Sequence, residues 1–228
     1  MATAEHHVEH QTNTGIDNRK LLMWIFLGSE CLFFGALIST YLIFKGDIPV
    51  PPQSFIEAHT EIEGGAEVVT GWFPIDRTID GIEYAGVLDI PITSQSTFVL
   101  LMSSVTMVLA VYGAQHRRPK MMKGWLLATI LLGLMFLGYQ VFEFRTFGQE
   151  GLTLETNQFG ASFFVLTGFH GTHVAVGVLI LSSLLLGSFR RNGLGNEAGL
   201  HVEMAGLYWH FVDIVWIVIF TIIYLIPA

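Results

Sequence analysis

Ionisable side chains inside long apolar segments are the residues of this sequence with the clearest capacity for chemistry. The motif FHGTH places His170 and His173 one helical turn apart, and WHFVDIVW gives His210 and Asp213 the same spacing. Glu30 stands alone in an earlier apolar segment. A charged side chain at the centre of a bilayer costs at least about 2.5 kcal/mol. Each of these residues therefore needs a structural or functional reason.

Histidine pairs and nearby carboxylates suggest a metal centre as one interpretation. A di-iron bundle, however, needs Glu-x-x-His on two helices and two further glutamates, and no Glu-x-x-His occurs in the apolar segments. We therefore favour hydrogen bonding between helices for the two histidine pairs and expect no metal ligand among them. Trp209 and Trp216 share a helix face with Asp213 and are expected to enclose its carboxylate.

Glu30 has two interpretations. It lies nine residues into its apolar segment, about 14 Å deep at about 1.5 Å per residue, which is close to the bilayer midplane. It is either a proton-exchanging carboxylate or a neutral acid that is hydrogen-bonded to a neighbouring helix. The small residues Gly28, Cys31, Gly35 and Ser39 on the same helix suit the close approach of another helix.

Two further polar groups lie near the ends of apolar segments. Tyr139, Gln140 and Glu143 are predicted to form a polar cluster at the membrane interface. Arg190 and Arg191 are suited to bidentate contacts with lipid phosphates. The alternative for these two arginines is the ordinary excess of basic residues on the cytoplasmic side.

The elements that position these residues are predicted to be membrane-spanning helices. Hydrophobic residues make up 52% of the 228 residues and charged residues only 13%, whereas soluble domains carry about 25% charged residues. A spanning helix needs about 20 mostly apolar residues. The stretches that meet this requirement are 21–44, 97–114, 122–144, 161–187 and 205–226. We predict an all-α, polytopic bundle of five transmembrane helices.

The distribution of basic residues predicts an N-in, C-out orientation. One side has eight: Arg19, Lys20, Arg117, Arg118, Lys120, Lys123, Arg190 and Arg191. The other side has three: Lys45, Arg77 and Arg145. Residues 1–20 are then a polar cytoplasmic tail, and the chain is a multi-pass protein of a bacterial-type plasma membrane.

The connection 45–96 is predicted to be a long external loop inserted into a membrane domain that covers residues 21–228. Nine acidic residues against Lys45 and Arg77 give the loop a formal charge of −7, out of −8 for the whole chain. Its part 75–92 mixes turns with β-branched residues and is expected to form a hairpin. The acidic balance excludes a nucleic-acid partner, and the single Cys31 excludes an intrachain disulfide.

Several motifs resemble subunit III of the haem-copper oxidases, and the resemblance covers about residues 20–226. The matching segments are Ser29-Glu30 followed by Phe33-Phe34, FHGTHV at 169–174, YWHFVDIVW at 208–216, and GYQVFE at 138–143 followed by GLT at 151–153. The chain is most similar to the five-helix form of cytochrome c oxidase subunit 3. The acidic connection and the N-terminal tail fall outside the resemblance.

The resemblance implies an accessory subunit without a redox centre of its own, so this chain alone is not expected to be catalytic. Haem and copper are expected in the partner subunits I and II. The chain would pack against subunit I, hold phospholipid and support proton uptake. Glu30 corresponds to the glutamate of the family's SE motif, and the histidines and Asp213 become packing and hydrogen-bonding residues.

The electron donor is not decided by these motifs, because quinol oxidases and homologues associated with nitric-oxide reductase share them. The acidic loop favours a basic cytochrome c, which an external negative surface attracts. A solubilising loop and a contact with another respiratory complex are the alternatives. A stand-alone proton-coupled transporter using Glu30 and Asp213 is disfavoured, because five helices do not divide into equal inverted repeats.

Overall fold

The computed structural model describes residues 17–45, 48–63, 66–190 and 197–226. In chain order the helices and strands are α1 (Asn18–Lys45), α2 (Gln53–His59), β1 (Thr60–Glu63), β2 (Ala66–Val69), β3 (Arg77–Ile79), β4 (Ile82–Tyr84), α3 (Ile90–Gln115), α4 (Pro119–Gln149), α5 (Gln158–Ser188) and α6 (Ala198–Phe220). A π-helical turn, Thr221–Leu225, continues α6. Within the described ranges five helices are long and apolar enough to cross a membrane. The predicted five-helix membrane bundle is confirmed.

The helix α6 forms the centre of the bundle. It packs against α3, α5 and α1, while α4 joins α3 to α5. In the most apolar 18 residues of α6, 56% are buried, against 11% for α1 at the edge. The FHGTHV motif on α5 and the YWHFVDIVW motif on α6 thus lie on helices that pack against each other.

The indole of Trp209 on α6 is the point where four helices meet. Its Nε1 donates to Ser103 Oγ on α3 at 2.9 Å. A Cβ atom at Gly133 on α4 would lie 2.6 Å from the indole, and one at Gly177 on α5 would lie 2.8 Å from it. Such distances leave no room for a side chain, so these two glycines allow α4 and α5 to approach the indole closely.

The described part of the connection between α1 and α3 is folded, and we call residues 48–63 and 66–89 the cap segment. Its sheet has the strand order β1-β2-β4-β3, with β2 and β4 parallel and the other pairs antiparallel. The strands β3 and β4 form the expected hairpin within 75–92. Asp80 and Gly81 form its two-residue turn with φ of 52° and 83°, as a type I′ turn requires.

The predicted end of the connection at residue 96 is corrected by the structure, because α3 begins at Ile90. Asp89 is the N-cap, and its carboxylate accepts the backbone N–H of Ile92 at 3.2 Å. Pro91 lies in the first turn, where a missing N–H costs nothing. These two local signals extend the helix seven residues beyond the predicted boundary.

The cap segment covers the end of the bundle at which α1 finishes, which we call the cap end. Trp72 and Tyr84 belong to its small apolar core. Asn157, the N-cap of α5, donates to the carbonyl of Trp72 at 3.1 Å, and Val87 belongs to the core of the bundle itself. Seven of its acidic residues are exposed, namely Glu57, Glu61, Glu67, Asp76, Asp80, Glu83 and Asp89. Asp47 lies outside the described residues.

Candidate functional site

Glu30 on α1 and His173 on α5 form an ionisable pair inside the membrane-spanning region. Glu30 Oε2 lies 3.2 Å from His173 Nε2, and the two side chains are 18% and 19% exposed. His173 Nδ1 lies 2.7 Å from the carbonyl oxygen of Phe169. That oxygen can only accept a hydrogen bond, so Nδ1 carries a proton.

The hydrogen bonds of His173 determine the net charge of the pair. Because Nδ1 is a donor, Nε2 either accepts from a protonated Glu30 or, in the imidazolium form, donates to the Glu30 carboxylate. The contact contains one proton in both arrangements, and the pair is neutral overall. Such a pair can hold a proton at bilayer depth without leaving an uncompensated charge.

Aromatic rings and a backbone contact hold the pair in place. Phe34 packs edge-on against the ring of His173, with ring centroids 5.0 Å apart, and Phe33 packs edge-on against Phe169 at 5.2 Å. The hydroxyl of Tyr208 on α6 donates to the carbonyl of His173 at 3.0 Å. The SE–FF segment, the FHGTH motif and the beginning of the YWHFVDIVW motif therefore meet at one place.

A groove of about 400 Å³ begins beside this pair. It lies between α1, α5 and α6 and is lined mostly by apolar atoms, including those of Phe26, Val176, Ile180, Leu184 and Met204. Along α5 it extends from Thr172 to Leu184, about 18 Å at about 1.5 Å per residue. Its dimensions and lining fit an acyl chain.

Two ion pairs join α1 to α6 at the end of the bundle opposite the cap. Arg19 lies 2.6 Å from Glu197, and Lys20 lies 2.7 Å from Glu203. The hydrogen bond and the charge of Arg19 lower the pKa of the Glu197 carboxyl. Glu197 is the residue that directly precedes α6. These ion pairs lie at the same end of the bundle as His201, which is part of the groove's lining.

The predicted lipid-binding arginines lie near the same end of the bundle. Arg190 follows α5 and is exposed. Arg191 lies outside the described residues.

The other polar residues of the FHGTH and WHFVDIVW motifs differ in how deeply they are buried. His170 is fully buried and stacks on Trp216, with ring centroids 4.7 Å apart. Asp213 is 3% exposed. Neither the ring nitrogens of His170 nor the carboxylate oxygens of Asp213 have a hydrogen-bond partner in the part of the chain that the structure describes. His210 is only partly buried, and its Nδ1 lies 2.6 Å from Ser104 Oγ on α3.

This arrangement assigns the His and Asp side chains to different surroundings rather than to one centre. His173 pairs with Glu30, His170 stacks on an indole, and His210 bonds to a serine. Among the described residues no group of three or more His, Cys, Asp and Glu side chains is placed to hold a metal ion. His173 and His210 thus make the predicted contacts between helices, whereas the hydrogen bonds predicted for His170 and Asp213 are not found among the described residues.

The predicted interfacial cluster of Tyr139, Gln140 and Glu143 is divided in the structure. Glu143 is buried and accepts a hydrogen bond from Thr93 Oγ1 on α3. Gln140 is also buried, and its Nε2 donates to the carbonyl of Thr167 on α5 at 2.7 Å. Tyr139 lines a separate groove on the outer surface. Two of the three residues thus join helices inside the bundle.

Sequence reasoning did not identify Lys45 as a structural residue. Its Nζ donates to the carbonyl oxygen of Ile222 at 2.6 Å and to that of Ile226. These carbonyls belong to the last turn of the chain's final helical segment, where backbone acceptors have no intrahelical partner. A lysine at the end of an apolar helix was the available signal, but its partner is 177 residues away.

Comparisons with known proteins agree with the motifs. Residues 2–227 match the family model described as cytochrome c oxidase subunit III. A probable quinol oxidase subunit 3 of Staphylococcus aureus (strain USA300) is 32% identical over 231 residues, covering 96% of this chain and 97% of the relative. A cytochrome c oxidase subunit 3 of Bacillus sp. (strain PS3) is 34% identical over 208 residues, covering 91% and 86%.

These matches confirm the resemblance that the motifs predict. They also include the acidic connection and nearly all of the N-terminal tail, which corrects the prediction that these two parts fall outside it. The chain is an integral membrane protein and a component of a respiratory oxidase complex with other oxidase subunits. The chain belongs to the cytochrome c oxidase subunit III family, the third subunit of the haem-copper terminal oxidases.

Proposed function

We propose that this chain is the non-catalytic subunit III of a cytochrome c oxidase in a bacterial plasma membrane, with its N-terminus in the cytoplasm and its cap end outside. It packs against subunit I and contacts subunit II, which carry the haem and copper. It stabilises subunit I, holds phospholipid and supports proton uptake while the complex reduces O₂ and translocates protons. Family membership supports the assignment to an oxidase, and the following features support the finer roles.

The observation that carries the accessory role is the Glu30–His173 pair together with the groove that begins beside it. The pair is neutral, and one hydrogen bond between its members joins α1 to α5. Each side chain thus has a structural partner within this chain. The groove offers an apolar surface about 18 Å long beside a membrane helix whose outer side is largely unburied. We propose that a phospholipid acyl chain fills this groove.

The headgroup of that lipid would lie at the end of the bundle opposite the cap. Arg19, Lys20 and His201 are found there, and Arg190 follows α5 at the same end. Arginine fits phosphate oxygens bidentately. We propose Arg190, with Arg191, as a phosphate contact of this or a neighbouring lipid.

The role in proton uptake rests on the single proton in the Glu30–His173 contact. This proton can move between the Glu30 carboxyl group and His173 Nε2, and the pair is neutral in both positions. Glu30 is therefore proposed as a proton-related carboxylate that assists the complex, with no part in oxygen chemistry. His170, His210, Asp213, Glu143, Trp209 and Trp216 are proposed as packing and hydrogen-bonding residues.

The cap segment supports cytochrome c as the electron donor. Seven of its carboxylates are exposed, and Arg77 is its basic residue within the described ranges, with its guanidinium over the ring of Phe73 at 5.4 Å. A basic soluble protein would be steered towards such a surface, most strongly at low salt. A quinol reaches its site through the membrane and gains nothing from this field.

The donor is tested by neutralising exposed carboxylates of the cap segment. Deleting the segment is a poorer test, because its Val87 and Trp72 pack against the bundle or bond to it. We expect a variant with Glu57, Glu61, Glu67 and Glu83 changed to Gln to raise the KM for cytochrome c several-fold at low ionic strength. The KM difference should vanish at high ionic strength, and turnover driven by a small uncharged electron donor serves as the control. A KM that does not change at any ionic strength would refute cytochrome c steering.

The assignment to the oxidase complex is tested by purification of the tagged chain in mild detergent. We expect co-purifying subunits with haem absorption bands, which reduced cytochrome c reduces more rapidly than quinol does. Rapid reduction by quinol alone would assign the complex to the quinol oxidases. A colourless oligomer of this chain would support the transporter alternative and refute the accessory role.

A further inference from the structure

One outer face of the bundle carries an imidazole among apolar side chains. On α6, Ile214 and Ile217 follow His210 at four and seven residues, and they are 59% and 43% exposed. On α3, Leu101 and Val108 flank Ser104 at three and four residues, and they are 36% and 54% exposed. We call these residues the α3–α6 face: Leu101, Ser104, Val108, His210, Ile214 and Ile217.

His210 lies near the middle of the membrane-spanning length. It is 12 residues from the start of α6 at Ala198 and 15 residues from the end of the π-helical turn at Leu225. At about 1.5 Å per residue these distances are about 18 and 22 Å along the helix. Lipid at that depth is hydrocarbon and offers neither a donor nor an acceptor of hydrogen bonds.

Only one side of the His210 ring is satisfied inside the chain. Its Nδ1 bonds to Ser104 Oγ. Its Nε2 has no hydrogen-bond partner among the described residues, and it is not one of the enclosed polar atoms of the bundle. The Nε2 atom is therefore open to whatever covers the α3–α6 face.

The groove beside Glu30 and His173 shows the contrast. There the partly exposed imidazole is satisfied by a carboxyl group of the same chain. The remaining lining is mostly apolar, and the hydroxyls of Thr172, Ser183 and Tyr208 in it donate to backbone carbonyls. A lipid chain can cover that surface without leaving a polar atom unpaired. At the α3–α6 face no described residue is a partner for Nε2, and polar side chains in membrane helices almost always face protein or a water-filled cavity.

We propose that the α3–α6 face docks against a transmembrane helix of the neighbouring catalytic subunit, and that His210 Nε2 makes a hydrogen bond across this interface. This inference rests on the proposed function, which supplies a membrane-embedded partner. The partner helix presents aliphatic or small side chains to Ile214, Ile217 and Val108. It presents a hydroxyl, an amide or a free backbone carbonyl to the imidazole.

Site-specific photo-crosslinking in the intact complex tests which surface is covered. A photoreactive phenylalanine derivative replaces Ile214 in one variant and Leu179 in a control. Leu179 is 68% exposed on α5 and lies outside the α3–α6 face. We expect Ile214 to crosslink to a haem-bearing subunit and Leu179 to give several-fold less of this product. Crosslinks from Ile214 to lipid alone, or to a second copy of this chain, would overturn the proposal.

The substitution His210→Leu provides a second test. It should weaken the retention of this subunit in the complex if a partner helix covers His210, but not if lipid covers it. If lipid covers His210, removing the imidazole makes the chain more compatible with the bilayer. If a partner helix covers it, an interhelical hydrogen bond is lost, and retention of this subunit should fall about threefold during detergent washing. Unchanged or stronger retention would contradict the proposal.

Two controls separate the possible causes of failure. Thermal unfolding of the His210→Leu chain shows whether its fold is intact. If this variant does not fold, the crosslinking variant at Ile214 still tests the proposal, because it leaves His210 unchanged. If no haem-bearing subunit co-purifies with the wild-type chain, the proposed function itself fails. If the complex forms but Ile214 crosslinks only to lipid, the docking face alone is refuted.

Discussion

Replacing Glu30 tests the hydrogen-bond assignment at the centre of the candidate site. In Glu30→Gln the amide can still donate to Nε2 of a neutral His173, whose Nδ1 stays bonded to Phe169. In Glu30→Leu, Nε2 loses its partner. We therefore expect Glu30→Gln to resemble the wild type and Glu30→Leu to be measurably less stable.

The magnitude follows from the surroundings of the pair. Leaving a buried polar group unpaired costs about 1–3 kcal/mol, but interhelical hydrogen bonds in membranes average only about 0.6 kcal/mol, with a maximum near 1.7. Because both side chains are nearly a fifth exposed, we expect about 1 kcal/mol for Glu30→Leu. A chain of this size loses about 2–4 °C in Tm per kcal/mol.

The assay uses the purified complex and separates stability from chemistry. The Tm of the subunit and the initial rate of O₂ consumption are measured for the wild type and for both variants. We expect initial rates within about twofold of the wild type, since the neutral pair performs no oxygen chemistry. The decline of activity during sustained turnover should be faster in Glu30→Leu than in Glu30→Gln.

Two results would refute this reasoning. If initial O₂ reduction collapses in Glu30→Gln while the complex remains intact, the carboxyl group has a direct catalytic role. If Glu30→Gln is as unstable as Glu30→Leu, the amide does not replace the carboxyl group, and the proton assignment of His173 is wrong.

Two further predictions concern packing and pH. In Gly177→Ala the new Cβ would lie 2.8 Å from the Trp209 ring, and we expect a loss of about 1–3 kcal/mol from overpacking, measured by thermal unfolding. The matched control Gly28→Ala, with open space around the position, should lose nothing. At the cap end, burial and two neighbouring carboxylates raise the pKa of Glu150 above its usual 4.5. A raised carboxyl pKa means that ionisation destabilises the folded state, so resistance of the cap segment to proteolysis should fall as the pH rises above about 4.5. Glu150→Gln should remove this dependence, and an unchanged pH profile in that variant would contradict the assignment.

The helices could be predicted from the sequence because apolar runs of spanning length are a local property. The contact of Glu30 with His173 could not, because it joins residues 143 positions apart and depends on how α1 packs against α5. The sequence placed Phe33 and Phe34 on the side of Glu30, which is the side that meets α5 in the structure. Local periodicity thus predicted the face but not the partner.

The cap segment shows a different limit of sequence reasoning. Its length and acidity indicated an exposed connection, yet four short strands carry too few residues for a clear alternating pattern. The turn at Asp80-Gly81 was the strongest local signal for the hairpin. The Asp89 N-cap with Pro91 is a local signal for the start of α3 at Ile90. The parallel pairing of β2 with β4 joins Val68 to Glu83 and Val69 to Tyr84, residues distant in the sequence, and has no local signature.

The motifs His170–His173 on α5 and His210–Asp213 on α6 have equal spacing. Each places one side chain inside the bundle and the other on an outer face. Positions three residues apart differ by about 60° around a helix, which is enough to separate an enclosed side chain from a partly exposed one. On α5 His170 is enclosed and His173 reaches the groove, while on α6 Asp213 is enclosed and His210 reaches the α3–α6 face. A bundle surrounded only by lipid gains nothing from polar atoms on two outer faces. Because His173 Nε2 is paired with Glu30, while His210 Nε2 has no partner among the described residues, we expect lipid to cover the first face and a protein helix to cover the second.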